Sequence, residues 1–403
     1  MNNKITLILG FFATVFLASC SKDDGDSQLQ VAYEITVEYP EVYGLVEAEG
    51  VSVTLKNLNT SKTYTETTEA DGVARFTGLI PGNYTLSANQ TLTAEEATAL
   101  TGLEVTQELI LNASLSELAI LGSGNTTLVL EGGAVGDWLI KEFYYSGAPN
   151  SFYFYDAFIE IYNNSTETLF ADGLMIGSTR PGSASTTSFF GFVTAGEQDA
   201  YIQTMLRVPG SGEEYPVEPG ESIVIAVDGI NHQSDPNGNE NSPVNLGPGI
   251  ADFEVYYDVN PNTPDTDNPE VPNMIIDYVT STTVFDYLPG VMGSGLIIFR
   301  SEDPAGMERF TEPNTTSATA YVRVPKEDVI DALDAVANAT VTPDRKRLPS
   351  NLDSGMATVG GTYTGTSLQR KVKQTINGRR VLVDTNNSSN DFIVNETPAP
   401  KAW

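Results

Sequence analysis

One cysteine and one histidine in 403 residues remove whole classes of chemistry. A disulfide framework cannot be built from one cysteine. A zinc centre of several Cys and His ligands cannot be assembled, and a Ser-His-Asp triad would depend on His232 alone. Positive charge is scarce as well. The chain carries 21 Lys+Arg against 53 Asp+Glu, a net charge of −32. So acidic a chain repels phosphate, which argues against nucleic acid as a main partner. Long apolar runs are missing too: Ile5–Leu17 is too short to cross about 30 Å of hydrocarbon as a helix. No G-x-S-x-G elbow, H-E-x-x-H helix or P-loop occurs. What is plentiful is turn material, 35 Gly and 22 Pro in a chain that is 40% hydrophobic, as expected of a folded, turn-rich protein. The length suggests two or three domains.

The N-terminus reads as an address label. Lys4 precedes the apolar run, and Leu17-Ala18-Ser19-Cys20 follows it. The run has the form of a secretory signal segment, to be set apart from the fold. Its end resembles the lipobox of bacterial lipoproteins, and the resemblance implies that Cys20 becomes the lipidated first residue. Several acyl chains on one residue would anchor the protein firmly, at about 0.8 kcal/mol per buried CH₂. Ser21-Lys22-Asp23-Asp24-Gly25-Asp26 is a solvated spacer. It resembles the acidic export tag of Bacteroidetes lipoproteins, which implies attachment to the outer membrane, facing the cell exterior. Residues 1–19 are thus expected to be a signal peptide and 20–30 a tether.

Residues 31–119 alternate like strands. Val31, Tyr33, Ile35 and Val37 interleave with Ala32, Glu34, Thr36 and Glu38, and Val51, Val53 and Leu55 with polar neighbours. Asp71-Gly72 and Pro81-Gly82 mark turns. Thr93 and Glu96 stand at capping-box spacing and predict a short helix over 93–100. The stretches 51–55, 68–76 and 79–86 resemble the carboxypeptidase-regulatory-like family, with its T-x-x-D-G turn and P-G-x-Y strand. The resemblance implies a transthyretin-like β-sandwich that acts as a spacer or docking module.

After a linker at 120–135, residues 136–403 read as a larger sandwich. The run 152–162 is taken as one strand, with Tyr153, Tyr155, Ala157, Ile159 and Ile161 on its core face and a mixed set, including Glu160 and Tyr162, on a partly covered face. Its aromatics could alternatively form a sugar-stacking platform. Trp138–Phe143, Phe158–Ser165, Leu169–Leu174, Val217–Ala226, Ser367–Arg370 and Asp384–Phe392 resemble pieces of the lamin-tail domain, an immunoglobulin-like sandwich. Insertions are then expected at 178–215, 228–290 and 301–362. Asn377-Gly378 predicts a β-hairpin with a type I′ turn. Pro325-Lys-Glu-Asp followed by Val329, Ile330, Leu333 and Val336 predicts an amphipathic helix. The fold class is therefore all-β: two sandwich domains, with loop insertions and a few short helices in the second.

Charge is uneven. From Glu142 to Phe299 only Arg180 and Arg207 face 22 acidic residues, whereas from Arg300 onward 13 basic residues balance 13 acidic ones. The block suits solubility, cation binding or a basic partner. Arg370, Lys371, Lys373, Arg379 and Arg380 are expected on solvent-facing strand edges. Hard cations need oxygen ligands, and two loops are rich in them. In one, Asp235, Asn237 and Asn239 occupy alternate positions, but Glu240 and Leu246 replace the Gly and Glu of an EF-hand. The other, 258–270, contains Asp258, Asp265 and Asp267. Calcium is the cofactor these loops could take; otherwise they are metal-free, Asx-rich turns. His232 reads as a solvated loop side chain.

No spacing selects a catalytic pair, so the expected function is non-enzymatic. The overall arrangement resembles uncharacterised Bacteroidetes lipoproteins that accompany TonB-dependent transporters. That resemblance implies an accessory or binding subunit for nutrient uptake or a surface complex, with Tyr256 and Tyr257 among the ligand candidates. The alternatives are a stand-alone glycan-binding surface protein and an extracellular hydrolase.

Overall fold

The computed structural model describes residues 30–39, 46–101, 108–134, 137–182, 189–376 and 378–403. Cys20, the signal segment, most of the tether and Asn377 lie outside them. The described chain is all-β and forms sandwiches, as expected.

The first region runs β1 (Val31–Glu38), β2 (Ser52–Asn57), β3 (Thr63–Thr67), β4 (Val73–Leu79), β5 (Gly82–Leu92), α1 (Ala94–Thr101), β6 (Leu109–Ile120), β7 (Gly124–Val129) and β8 (Glu131–Ala134). One sheet has the order β4-β1-β7 and faces another of order β3-β2-β5-β6-β8. Alternation puts Ile35, Val37, Val53, Leu55, Phe76, Tyr84 and Leu86 into a common interior, each at most 2% exposed. Burying a side chain of this size contributes roughly 1.5–3 kcal/mol. Gly72 turns the chain into β4 at φ +69°, and a Cβ there would lie 2.8 Å from Glu47 Cβ and 2.9 Å from the Val37 carbonyl. The predicted capping box forms: Thr93 N–H donates to Glu96 Oε2 at 2.8 Å, and Glu96 N–H to Thr93 Oγ1 at 3.3 Å.

The second region continues with β9 (Trp138–Tyr144), β10 (Phe158–Asn163), β11 (Leu169–Phe170), β12 (Met175–Ser178), α2 (Gly191–Thr194), β13 (Ala200–Ile202), β14 (Thr204–Arg207), β15 (Pro216–Val217), β16 (Ser222–Ala226), β17 (Phe253–Glu254) and β18 (Ile275–Val279). It ends with β19 (Gly295–Phe299), β20 (Arg309–Thr311), β21 (Ala320–Val324), β22 (Val329–Asp334), β23 (Ser367–Arg370), β24 (Val372–Ile376), β25 (Arg379–Leu382), α3 (Ser388–Asp391) and β26 (Phe392–Asn395). Of the expected sandwich pieces, Trp138–Phe143, Phe158–Ser165, Val217–Ala226 and Ser367–Arg370 place β9, β10, β16 and β23 in one sheet, β17-β16-β10-β9-β23-β26, whereas Leu169–Leu174 supplies β11, which pairs with β15 in a separate two-stranded sheet. The inner face of the larger sheet, with Ile140, Ile159, Ile161 and Ile225, packs on Ile176, Leu206, Leu296, Ile298 and Leu333 from a second sheet, β18-β14-β12-β19-β22. The far side of that second sheet (Met175, Met205, Ile297, Phe299) packs on Ile202, Val322 and Val324 from a third, β13-β21-β20. The second region therefore has three layers. The expected insertions are not only loops: they supply β13, β14, β17, β18 and β20–β22.

Three expectations are corrected. The helix after Pro325 is instead a single 3₁₀ turn, Lys326–Asp328, followed by β22. Asp331 and Asp334 are buried in that strand, so polar letters that mimic a helical face are interior groups with partners. The strand expected over 152–162 begins only at Phe158, and residues 152–157 form an irregular aromatic segment. Arg370 is not at a solvent-facing edge. It is 2% exposed, its Nη2 lies 2.6 Å from Asp331 Oδ2, and its Nε donates to the Ile140 carbonyl at 2.8 Å.

Two readings hold. The 372–382 hairpin pairs Ile376 with Arg379, with Gly378 at φ +88°. The mixed face of β10 is covered, by the C-terminal segment: Lys141 Nζ, paired with Glu160 at 2.8 Å, also donates to the Ala402 carbonyl at 2.8 Å and sits 4.4 Å from the Trp403 ring centre.

Candidate functional site

Three loops at one end of the second region converge on carboxylates. Asp228 follows β16, whose exit is fixed by Val227 N–H donating to the Ala157 carbonyl at 2.9 Å. Asp265 belongs to the 258–270 loop. Asp286 follows the turn after β18. Each offers one carboxylate oxygen to a cluster whose atoms lie within 4.8 Å of one another. Asp265 accepts from Tyr257 N–H at 2.8 Å and Thr266 N–H at 2.7 Å. Asp286, 3% exposed, accepts from Tyr287 N–H at 2.5 Å through Oδ1 alone. Among the described residues, nothing donates to the Asp228 carboxylate or to Asp286 Oδ2, and no Lys or Arg bridges any of the three.

Two more acids flank them. Glu254 accepts from Gly229 N–H at 2.8 Å and Asn268 N–H at 2.6 Å. Asp156, fully buried, accepts from Ser242 Oγ at 2.7 Å and Tyr144 Oη at 3.1 Å through Oδ2, while its Oδ1 has no described partner. Burial, then mutual repulsion, pushes Asp228 and Asp286 well above the ordinary carboxylate range. Burial raises Glu254 to about 7 and Asp156 to about 6.

His232 is not the solvated side chain expected from the sequence; it is fully buried. Its Nε2 lies 3.1 Å from the Asp228 carbonyl, which can only accept, so that nitrogen carries the proton. Nδ1 then accepts from Tyr153 Oη at 2.7 Å. Desolvation lowers its pKa to about 4, leaving a neutral imidazole that ties the aromatic segment to the Asp228 loop. The 235–240 loop wraps tightly round it: a Cβ on Gly238 would sit 2.2 Å from the His232 carbonyl.

The aromatics expected in a core form a ledge beside the acids. Phe152 is 86% exposed and meets Tyr363 edge-on at 5.4 Å. Phe154 stacks on Tyr155 at 4.7 Å, and Tyr155 lies 6.2 Å from Phe285, which is 40% exposed and immediately precedes Asp286. A different concavity, of about 780 Å³, lies between the two regions. Its lining mixes apolar side chains with hydroxyls and amides, among them Thr54, Thr85, Asn89, Thr342 and Thr358.

Of the sequence candidates, only Asp265 joins the cluster. Asp235 Oδ1 accepts from Asn237 N–H at 2.8 Å and Asn239 Oδ1 from Asn241 N–H at 3.0 Å, so these side chains serve as Asx turns. Asp258 is exposed, and Asp267 accepts from Asn273 Nδ2 at 2.8 Å. Tyr257 is a core residue whose hydroxyl donates to the Ser281 carbonyl at 3.2 Å; Tyr256 is half-buried. Sequence reading missed Asp228 and Asp286, which stand alone rather than in acid-rich runs. The one available signal was the shortage of basic residues across 142–299.

The fold thus defines an all-β protein whose second region carries a cluster of carboxylates beside an aromatic segment. Residues 218–399 match a family described as a protein of unknown function, DUF4876. A DUF4876 family protein from Bacteroides thetaiotaomicron is similar along nearly the whole length: 28% identity, 92% of this chain and 96% of that chain covered, TM-score 0.58. Two shorter overlaps are a DUF3823 family protein from Parabacteroides merdae (10% identity, 50% of this chain and 82% of that one, TM-score 0.17) and the 5-hydroxyisourate hydrolase of Klebsiella pneumoniae (20% identity, 26% and 97%, TM-score 0.18). No curated protein matches the sequence.

Proposed function

We propose that this chain is a non-enzymatic binding protein, held by a lipid on Cys20 at the outer membrane and facing the cell exterior. There it acts as an accessory subunit of a TonB-dependent nutrient-uptake or surface complex. The observation that supports binding is the pair of exposed rings Phe152 and Phe285, the latter 6.2 Å from the partly buried Tyr155 and next in the chain to Asp286 of the carboxylate cluster. Exposed rings of this size are costly to leave in water without a partner. The lone histidine supports a non-catalytic reading: both ring nitrogens are engaged and the imidazole is buried. Labelled palmitate should enter the wild type and not Cys20→Ser. Affinity purification from outer membranes should recover a barrel protein, and its absence would count against the accessory role.

A second reading, glycan capture without a transporter, draws on the same ledge, because aromatic faces stack on sugar rings. Retention on at least one member of a polysaccharide panel, lost in Phe152→Ala/Tyr155→Ala, would favour it. The reading fails if no glycan is retained.

A further inference from the structure

We propose that the cleft between the two regions is a binding site for a neutral oligosaccharide, held by side-chain hydroxyls and carboxamides. It lies apart from the carboxylate cluster and depends on neither the aromatic ledge, the lipid nor a transporter. One wall is the outer face of the sheet β3-β2-β5-β6-β8. Alternation sends Tyr84, Leu86 and Ala88 of β5 into the first region's interior and Thr85, Ser87 and Asn89 outward. Register sets Thr54, Ser87 and Ser114 in one row across β2, β5 and β6. The opposite wall comes from the second region, from segments within 336–358 and from α3. The walls meet where Ser114 Oγ donates to the Ser350 carbonyl at 3.3 Å. The space between them, about 780 Å³, is that of a ligand site and far more than a packing gap.

The lining selects the ligand. Among the described residues no Asp or Glu lines the cleft, in a chain that carries 53 of them. Its cations are Lys346, whose buried ammonium is spent on the Asp353 and Gly355 carbonyls, and Lys56, which is exposed and stays hydrated. A cationic ligand therefore finds no counter-charge, and an anionic one is opposed by the net charge of −32. Hydroxyls and carboxamides both donate and accept. Among the described residues the side chains of Thr85, Ser87 and Asn89 make no hydrogen bond to protein, so they are available to a ligand. A neutral molecule dense in hydroxyl groups matches such a surface and leaves few of its own groups unbonded. Leu58, Leu115 and Ile393, each more than a third exposed, give apolar surface for its C–H faces.

A peptide suits the first wall less well. β2, β5 and β6 each have a strand on both sides, so their main-chain groups are already paired and offer an extended chain no open edge. Recognition on that wall rests on side chains alone. Because the two walls belong to different regions, a ligand that spans the cleft also fixes their separation.

The test uses the full-length protein in a detergent without a sugar headgroup, titrated in a calorimeter with neutral hexasaccharides of α-glucan, β-glucan, mannan and xylan. At least one should give a saturable isotherm. Thr85→Val, which keeps the shape and removes the hydroxyl, and Asn89→Leu should each weaken it about fivefold, the effect of losing one hydrogen bond. Ser87→Trp, which fills the cleft, should abolish it. All three side chains point away from the first region's interior, so thermal melts should match the wild type; should Ser87→Trp fold poorly, the two smaller changes carry the test. Phe152→Ala/Tyr155→Ala should bind as the wild type does. No binding of any of these sugars overturns the proposal. So does unchanged affinity in Thr85→Val and Asn89→Leu, and loss in the Phe152/Tyr155 variant alone would move the ligand to the ledge. Hexagalacturonate or a Ser-Gly hexapeptide binding as tightly as the best neutral sugar overturns it as well. Binding in the cleft with no barrel protein recovered would leave this site standing and remove only the accessory role.

Discussion

The two regions solve the problem of an interior in different ways. The first closes on apolar side chains, and among the described residues its buried polar ones are the uncharged Asn57, Thr68 and Asn112. The second buries Lys141, Glu142, Asp156, Glu160, Asp331, Asp334, Lys346 and Arg370. Apolar burial is non-directional and tolerates small shifts; a buried ion is stable only with a partner at the right place. The second region therefore has an interior that constrains which strand lies where. Arg370 on β23 reaches Asp331 on β22 while accepting nothing itself, and so couples the first sheet to the second.

The sharpest way to break this contrast is Arg370→Met. It would strand Asp331, and with it Asp384 and Asp391, which lie 3.5 and 3.8 Å from Arg370 Nη1. Removing one partner of a buried pair costs about 3–5 kcal/mol. Denaturant titration should show a loss of that size. Adding Asp331→Asn should recover part of it, since Asn can still accept from Ile140 N–H, now at 2.7 Å from Oδ2. No recovery would mean that packing of the Arg stem, not charge, is what the site needs. The matching change in the first region is Leu55→Ala, fully buried among apolar neighbours. It should cost about 2–4 kcal/mol through lost transfer energy and a cavity. Here no second polar substitution should restore stability.

The same contrast explains what could be read in advance. In the first region alternation, Asp71-Gly72, Pro81-Gly82 and Thr93/Glu96 all point one way, because inside is apolar and outside polar. In the second region that rule fails. Asp331 within Val329–Leu333 looks like the polar face of a helix, and Arg370 looks like surface, although both are interior. Pieces of the first sheet were legible from β10, β16 and β23. The second and third sheets were not, because short strands such as β13 and β14 lie among turn residues. Asp228 and Asp286 are 58 positions apart in the chain, and no local pattern brings them together. Asp265 was visible only as one of several acids in its loop. The ledge was misread for another reason: aromatic runs have the same letters whether they face a core or solvent.

Acids that gain backbone donors sharpen the comparison with the cluster of Asp228, Asp265 and Asp286. Asp172 is opposed by desolvation, yet N–H groups of Gly212, Glu214 and Tyr215 at 2.9–3.0 Å hold its pKa below the ordinary value. A folded pKa below the unfolded one means the unfolded chain binds more protons as pH falls. The stabilisation is therefore complete above about pH 4, the unfolded value, and is lost as pH drops through the lower folded value. Asp172→Asn should cost on the order of 1–3 kcal/mol at neutral pH, the range from an ordinary hydrogen bond to one with a charged acceptor. The difference from wild type should shrink toward pH 2 in thermal melts. A difference that stays constant with pH would assign the effect to loop geometry alone.

The smallest effect is expected where the two regions touch. Lys373 on the hairpin meets Glu108 at the start of the first region's longest strand, N to O 2.5 Å, with side chains 40% and 41% exposed. Ser114 Oγ donates to the Ser350 carbonyl at 3.3 Å nearby. An ion pair this open to water is worth about 0–1 kcal/mol and is screened at high salt. Glu108→Gln should thus shift unfolding by less than about 1 kcal/mol at low salt, and by less still at high ionic strength. If the regions differ as their interiors suggest, the change should leave the Leu55→Ala and Arg370→Met penalties additive, because neither site shares a partner with the other. Strong non-additivity through so exposed a pair would mean that the apolar interior and the ionic one unfold as a single unit, and that the difference between them is one of chemistry rather than of cooperativity.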